Sequence, residues 1–179
     1  MFYKNRIANV LEKIRQNYGL LTRKGYIYGI IAIDQDAKII AVDPRFDRNL
    51  NYWDLSSIGA ALHSIARQGQ EFFDADCLDR ASIIYNNMRL FVKSVLSVNI
   101  NQDGDKSEKR EVNIIHLSDN DVNIGVAVLQ MERYAGKLRE EIESSGSITN
   151  MMKMNEKELK KHIQELKKEV FGSKIGQST

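Results

Sequence analysis

"IIHLSDNDVNIGVAVLQMERYAGKLREEIE", residues 114–143, runs from a strand-like segment through an acidic turn into a helix-like one. The run "VNIIHL" (112–117) reads as a strand. Ile124, Ala127, Val128, Met131, Ala135, Leu138 and Ile142 then fall on one stripe, which predicts an amphipathic helix. The turn between them, Ser118 to Gly125, is rich in Asp and Asn and holds a single glycine. Strand, turn and helix are the parts of a phosphate cradle, but carboxylates repel phosphate. Neither GxxxxGK(S/T) nor GxGxxG occurs in the chain, so nucleotide binding is not expected. Asp119 and Asp121 are expected to satisfy free N–H groups at the helix start and to favour its dipole.

Upstream of this unit, "MRLFVKSVLSVNI" (88–100) alternates, with Met88, Leu90, Val92, Leu96, Val98 and Ile100 on one side. Arg89, Lys93, Ser97 and Asn99 lie on the other, which predicts an antiparallel strand with one wet face. Asn86-Asn87 suits a tight turn from "RASIIY" (80–85), and "QDGDKSEKRE" forms a long tip before the last strand. Further back, "YIYGIIAI" (26–33), "DQDA" and "KIIAV" (38–42) read as a β-hairpin. Ile7, Val10, Leu11 and Ile14 predict a first helix over 3–17, with Gly19 as its stop. A second helix carries Leu55, Ile58, Leu62, Ile65 and Phe72, with Asp54 as cap and Trp53 stapled to Ile58. Its small residues Gly59, Ala60, Ala61 and Ser64 make a second packing face.

The expected fold is α+β: a five-stranded, mainly antiparallel sheet between helices, in the order α-β-β-α-β-β-β-α, followed by a C-terminal helix. Residues 1–143 form the domain, and "SSGS" lies in a flexible linker over 144–148. Residues 149–179 form an amphipathic helix and tail, with Met152, Leu159, Ile163, Leu166 and Val170 near heptad spacing.

With 179 residues, 42% hydrophobic content and net charge +2, the chain suits one soluble domain and lacks the field that draws a protein to nucleic acid. A single cysteine, Cys77, fits a reducing compartment. The charged opening is not expected to be a signal peptide, and no apolar run approaches the ~20 residues of a membrane span. A cytoplasmic location is expected.

Several constellations invite chemistry and fail on counting. Asn99, Asn101, Asp103 and Gly104 imitate positions one, three, five and six of a calcium loop, but its twelfth position is Arg110. Asp34 and Asp36 in a hairpin turn are expected to bond backbone rather than metal. His63, His116 and His162 sit on three separate elements, and Cys77 has no nucleophile motif around it. No catalytic residue, metal or cofactor is expected. Arg45 and Arg48, beside Phe46, Tyr52 and Trp53, have the composition of an interaction hot spot. The lysine-rich tail is diluted by Glu156, Glu158, Glu165 and Glu169, which favours packing on protein over membrane.

The hairpin "GIIAIDQDAKIIAV", the helix "LSSIGAALHSIARQGQEFF", the pair "RASIIYNNMRLFVKSV" and the closing "VNIIHLSDNDVNIGVAVLQMERYAGKLREEI" together resemble the Roadblock family of dynein light chains and GTPase regulators. The resemblance spans about residues 26–143; the long 99–111 tip and the tail after Ser144 exceed the family's minimal form. It implies a non-catalytic dimeric platform, homodimeric or paired with another Roadblock protein, that binds a Ras-like small GTPase as an activator, exchange regulator or scaffold. Pairing would run through the middle helix and third strand, here Leu55, Ile58, Leu62, Ile65, Ala81, Ile83 and Tyr85. The GTPase-facing residues would be His63, Arg67, Gln70, Arg45 and Arg48. Competing expectations are a small-molecule-sensing PAS-like or profilin-like module, which needs a closed apolar pocket, and a longin-like trafficking adaptor, which orders its helices differently.

Overall fold

The computed structural model describes residues 5–101, 107–155, 157, 158 and 161. Its elements are α1 (Arg6–Leu21), β1 (Ile27–Asp34), β2 (Ile39–Val42), α2 (Tyr52–Phe72), β3 (Ala81–Ile84), β4 (Arg89–Asn101), β5 (Ser107–Ser118), α3 (Ile124–Glu143) and α4 (Gly146–Lys153). The expected order α-β-β-α-β-β-β-α is therefore present, followed by the expected C-terminal helix, α4. The strands form one sheet in the order β2-β1-β5-β4-β3, and the paired neighbours are antiparallel.

α1 buries the stripe read from its sequence, Ile7, Val10, Leu11 and Ile14, and extends it through Tyr18. Asn5 caps it, accepting the Ala8 N–H at 2.6 Å, and donates to Ile40 O on β2 at 3.1 Å. The expected stop at Gly19 is passed. The helix runs on to Leu21, because an exposed helical glycine costs only about 1 kcal/mol and nothing crowds it. In the β1–β2 turn, Asp34 accepts the N–H groups of Asp36 and Lys38, both at 2.9 Å. That is backbone bonding by an aspartate, as expected for this sequence.

Two cores flank the sheet. The larger lies under α1, α3 and α4 and includes Ile14, Ile30, Phe91, Ile114, Met131, Leu138 and Met152. The smaller lies under α2 and is built from Ile31, Ile33, Val42, Leu90, Val92, Ile115 and Leu117. β4 serves both. Ser94 pairs with Asn113 and Leu96 with Val112, so Val95 is an extra, bulged residue. The bulge turns the strand over: Leu90 and Val92 face α2, whereas Leu96, Val98 and Ile100 face α3 and α4. The expectation that these residues share one side is thereby corrected, and so is the wet face, since Phe91 is fully buried on the other layer.

The caps differ from expectation in two helices. α2 starts one turn earlier than read, with Asn51 accepting the Trp53 N–H at 3.0 Å, and Asp54 sits within the first turn. α3 is capped by Asn123, which accepts the Val126 N–H at 3.1 Å. Asp119 ties the preceding turn to β1 instead, accepting N–H groups from Tyr26, Asp121 and Val122.

Within the stretch expected to be a linker, Ser145 takes the N-cap position without a side-chain cap bond and α4 begins at Gly146. Met152 of that helix is wholly buried in the larger core, and Lys38 Nζ donates to Met152 O at 2.8 Å. The tip residues Asp103 and Gly104, and His162, Ile163, Leu166 and Val170 of the expected tail helix, lie outside the described residues.

Candidate protein interface

α2 is the one described helix packed on its layer of the sheet, and it turns small residues inward. Ser56, Gly59 and His63 are its buried positions. A Cβ on Gly59 would lie 2.3 Å from Ile115 Cδ1, so only glycine lets the helix settle this close. Leu55 and Leu62 lean on the core and are half-buried. The apolar seam read from the sequence therefore splits, because Ile58 and Ile65 face solvent, Ile65 at 66% exposure.

Beside α2, β3 closes one end of the sheet order and, among the described residues, pairs only with β4. Ala81 and Ile83 sit opposite Val92 and Leu90, on the α2 side. Ala81 is buried and Ile83 half-buried, while Tyr85 is exposed. Ile84, on the opposite face, is 64% exposed and is not among the pairing residues expected from the sequence. An open strand edge next to an apolar helix face is an association surface.

The residues expected to face a GTPase do not form one cluster. His63 is buried beneath α2, its Nε2 3.6 Å from Glu111 Oε2, and Arg67 Nη1 holds the same carboxylate oxygen at 2.7 Å. Burial, opposed by Glu111, keeps the His63 imidazole below its ordinary pKa. His63 thus anchors the helix. Gln70 is half-buried and donates to Ala75 O at 3.1 Å, securing the end of α2. Arg48 is exposed in the loop before α2, and Arg45, also exposed, pairs with Glu12 of α1 at 3.0 Å. From Tyr52, the first residue of α2, to Arg67 the helix rises about 23 Å, so the loop pair and the helix pair occupy opposite ends of it.

Asp34 and Asp36 are occupied by cations of the chain itself. Lys38 Nζ lies 3.4 Å from Asp34 and 3.3 Å from Asp36, and Arg110 bonds Asp36. Burial raises the Asp34 pKa despite its backbone donors and Lys38. Asp36 is also pushed up by burial, but Arg110 and Lys38 outweigh it and hold its carboxyl below the usual range. No group of three or more His, Cys, Asp or Glu among the described residues is arranged to hold a metal. A groove of 660 Å³ lined by Arg15, Arg23, Tyr26 and Arg45 is open and basic, unlike the closed apolar pocket of a sensor. No helix among the described residues is long and apolar enough to cross a membrane.

Sequence comparison finds no matching family model and no matching curated protein. Comparison of folds finds Myxococcus xanthus MglB at 13% identity and a TM-score of 0.58, covering 79% of this chain and 98% of that one. A Roadblock/LC7 domain from Streptomyces avermitilis matches at 13% identity and a TM-score of 0.55, covering 75% and 98%. An MglB described with a tetrameric arrangement matches at 14% identity and a TM-score of 0.54, covering 77% and 88%. At such identities the likeness concerns architecture alone. The chain carries the fold of a Roadblock-type domain.

Proposed function

We propose that this chain is a non-catalytic, cytoplasmic, homodimeric platform that binds and regulates a Ras-like small GTPase. The observation carrying this reading is the pairing of an open edge strand, β3, with a helix whose Ile58 and Ile65 face water. In a twofold pair, β3 edges meet and two α2 helices cover each other's apolar residues. Ile58, Ile65 and Tyr85 supply the contact, while Leu55, Leu62, Ala81 and Ile83 support it from the core side. Self-association is further supported by the tetrameric arrangement given for one MglB of the same fold. The GTPase follows from the Roadblock resemblance. Arg67, Gln70, Arg45 and Arg48 are the residues left to meet it, with His63 holding α2 in place. Such a platform biases the conformation of switch loops and donates no catalytic group.

Light scattering on the full chain should give the mass of a dimer, and Ile65→Asp should halve it by burying a charge in the pairing face. A wild-type chain that stays monomeric at high concentration refutes the dimer. For the partner, capture from the source cells should enrich Ras-like GTPases whose hydrolysis or exchange rate changes when the chain is added. Capture without any GTPase refutes that half of the reading.

A further inference from the structure

The C-terminal end of α2 is apolar, acidic and exposed at once. Phe72 and Phe73 are 84% and 78% exposed, their rings edge-to-face with centroids 5.3 Å apart. The backbone presenting them is fixed: Phe73 N–H donates to Gly69 O and Ala75 N–H to Gln70 O, both at 3.0 Å. Glu71, Asp74 and Asp76, neighbours of the two rings in the sequence, are exposed and form no ion pair among the described residues. The last turn of α2 contains no basic residue either, so three carboxylates sit at the negative end of a helix dipole. Such a patch fits an apolar surface edged with cations.

The chain carries a segment of that kind, starting nearby. α4 ends against the β1–β2 turn through Lys38 and Met152 O. Asn155 and Glu158 then exchange hydrogen bonds at 2.9 Å, each side chain accepting the other's N–H, which is the capping box of a new helix. In the sequence that follows, Leu159, Ile163, Leu166 and Val170 recur at steps of four, three and four, and Lys160 and Lys167 border the stripe on one side. A chain of contacts links Lys38 to α2 at one end of the sheet, α4 and α2 lying on its opposite layers. Lys38 meets Asp36, Asp36 meets Arg110, and Glu111, the next residue, meets Arg67. Phe72 stands five residues, about 7.5 Å of helix, beyond Arg67. Thirteen residues, 159–171, reach about 20 Å even at helical rise.

We infer that residues 159–171 of this chain dock on the exposed end of its own α2, laying Leu159, Ile163, Leu166 and Val170 over Phe72 and Phe73, with Lys160 and Lys167 toward Glu71, Asp74 and Asp76. This tail contact leaves the β3 edge free, and because Phe72 lies seven residues beyond Ile65 on the stripe given to pairing, the tail would adjoin the partner helix there.

Cys77, exposed four residues past Phe73, reports the contact. In the full chain its reaction with dithionitrobenzoate should quicken about tenfold on the double substitution Ile163→Asp with Leu166→Asp, the ratio for a docked state holding about nine-tenths of molecules. Phe72→Asp with Phe73→Asp should release the tail equally, from the receiving side. In a second measurement, Ile163→Cys is oxidised with diamide, which takes two electrons and two protons from the thiol pair, in a mixture of isotope-labelled and unlabelled copies. A disulfide to Cys77 within one chain supports the inference. An unchanged Cys77 rate in both double variants overturns it, and so does a disulfide found only between copies, which assigns the site to a neighbouring molecule's tail.

Discussion

Replacing His116 by leucine should flatten the pH dependence of stability between pH 7.5 and 5. The imidazole is fully buried in β5 and stacks on Phe91, with ring centroids 4.7 Å apart. Neither ring nitrogen has a hydrogen-bond partner among the described residues, and the Arg15 guanidinium, tied to Asp43, adds positive charge nearby. Burial first, and Arg15 second, lower its pKa from 6.5 to about 3. The unfolded chain takes up this proton near its ordinary value, whereas the folded chain resists until about pH 3. Below pH 6.5 the unfolded state therefore binds more protons, and stability complete above that value falls as pH drops. At about 1.4 kcal/mol per unit, the loss attributable to His116 is about 2 kcal/mol at pH 5 and about 3.4 kcal/mol at pH 4. Urea unfolding followed by circular dichroism, at one protein concentration, should show wild type losing about 2 kcal/mol more than His116→Leu between pH 7.5 and 5. His63 also has a lowered pKa, but it is present in both proteins and cancels in the difference. Equal pH dependence in the two proteins would refute the argument.

Three further substitutions probe how α2, α3 and α4 are held. Gly59→Ala places a methyl group 2.3 Å from Ile115 Cδ1, and Ile115 is buried, so α2 must lift; a net loss of about 1–2 kcal/mol is expected after the helix-propensity gain, and an unchanged melting temperature would contradict it. Lys38→Met strips the buried Asp34 of its near cation and α4 of its last-turn donor. Unfolding should show a loss of about 3 kcal/mol at neutral pH, shrinking in acid as Asp34 accepts a proton; a pH-independent loss would rule out the charge as cause. Asn123→Ala removes the cap of α3 and should cost about 1 kcal/mol in denaturant titration, whereas no change would show that the N–H groups find other partners.

Much of this fold was legible because amphipathic periods are local. The stripe Ala127–Val128–Met131–Leu138–Ile142 of α3 and the Ile7–Val10–Leu11–Ile14 face of α1 are buried as read. The bulge at Val95 was invisible because every even position from Leu90 to Ile100 except Ser94 is apolar, so the pattern hides the change of face. The fate of the α2 seam was hidden for another reason. Helical spacing groups Leu55, Ile58, Leu62 and Ile65, but the helix lies on Gly59, and the rotation that glycine permits leaves two of the four outside. His63 read as a surface contact because its burial depends on Glu111, 48 positions away and brought near only by the sheet. Only the start of α4, Gly146 to Ile148, was read as linker, since "SSGS" is common in linkers, while the helix's docking rests on distant Lys38.

Val95 carries a consequence larger than its side chain. The extra residue is what lets positions of one parity serve opposite layers: drawn into the regular ladder, Val95 would turn Leu96, Val98 and Ile100 away from Leu138 and Ile142 and point them across the sheet toward α2. Removing it has the opposite outcome, because Ser94 and Leu96 would become neighbours still opposite Asn113 and Val112, and ordinary alternation would hold both on their present faces. The strand can therefore lose this amino acid more easily than it can straighten around it.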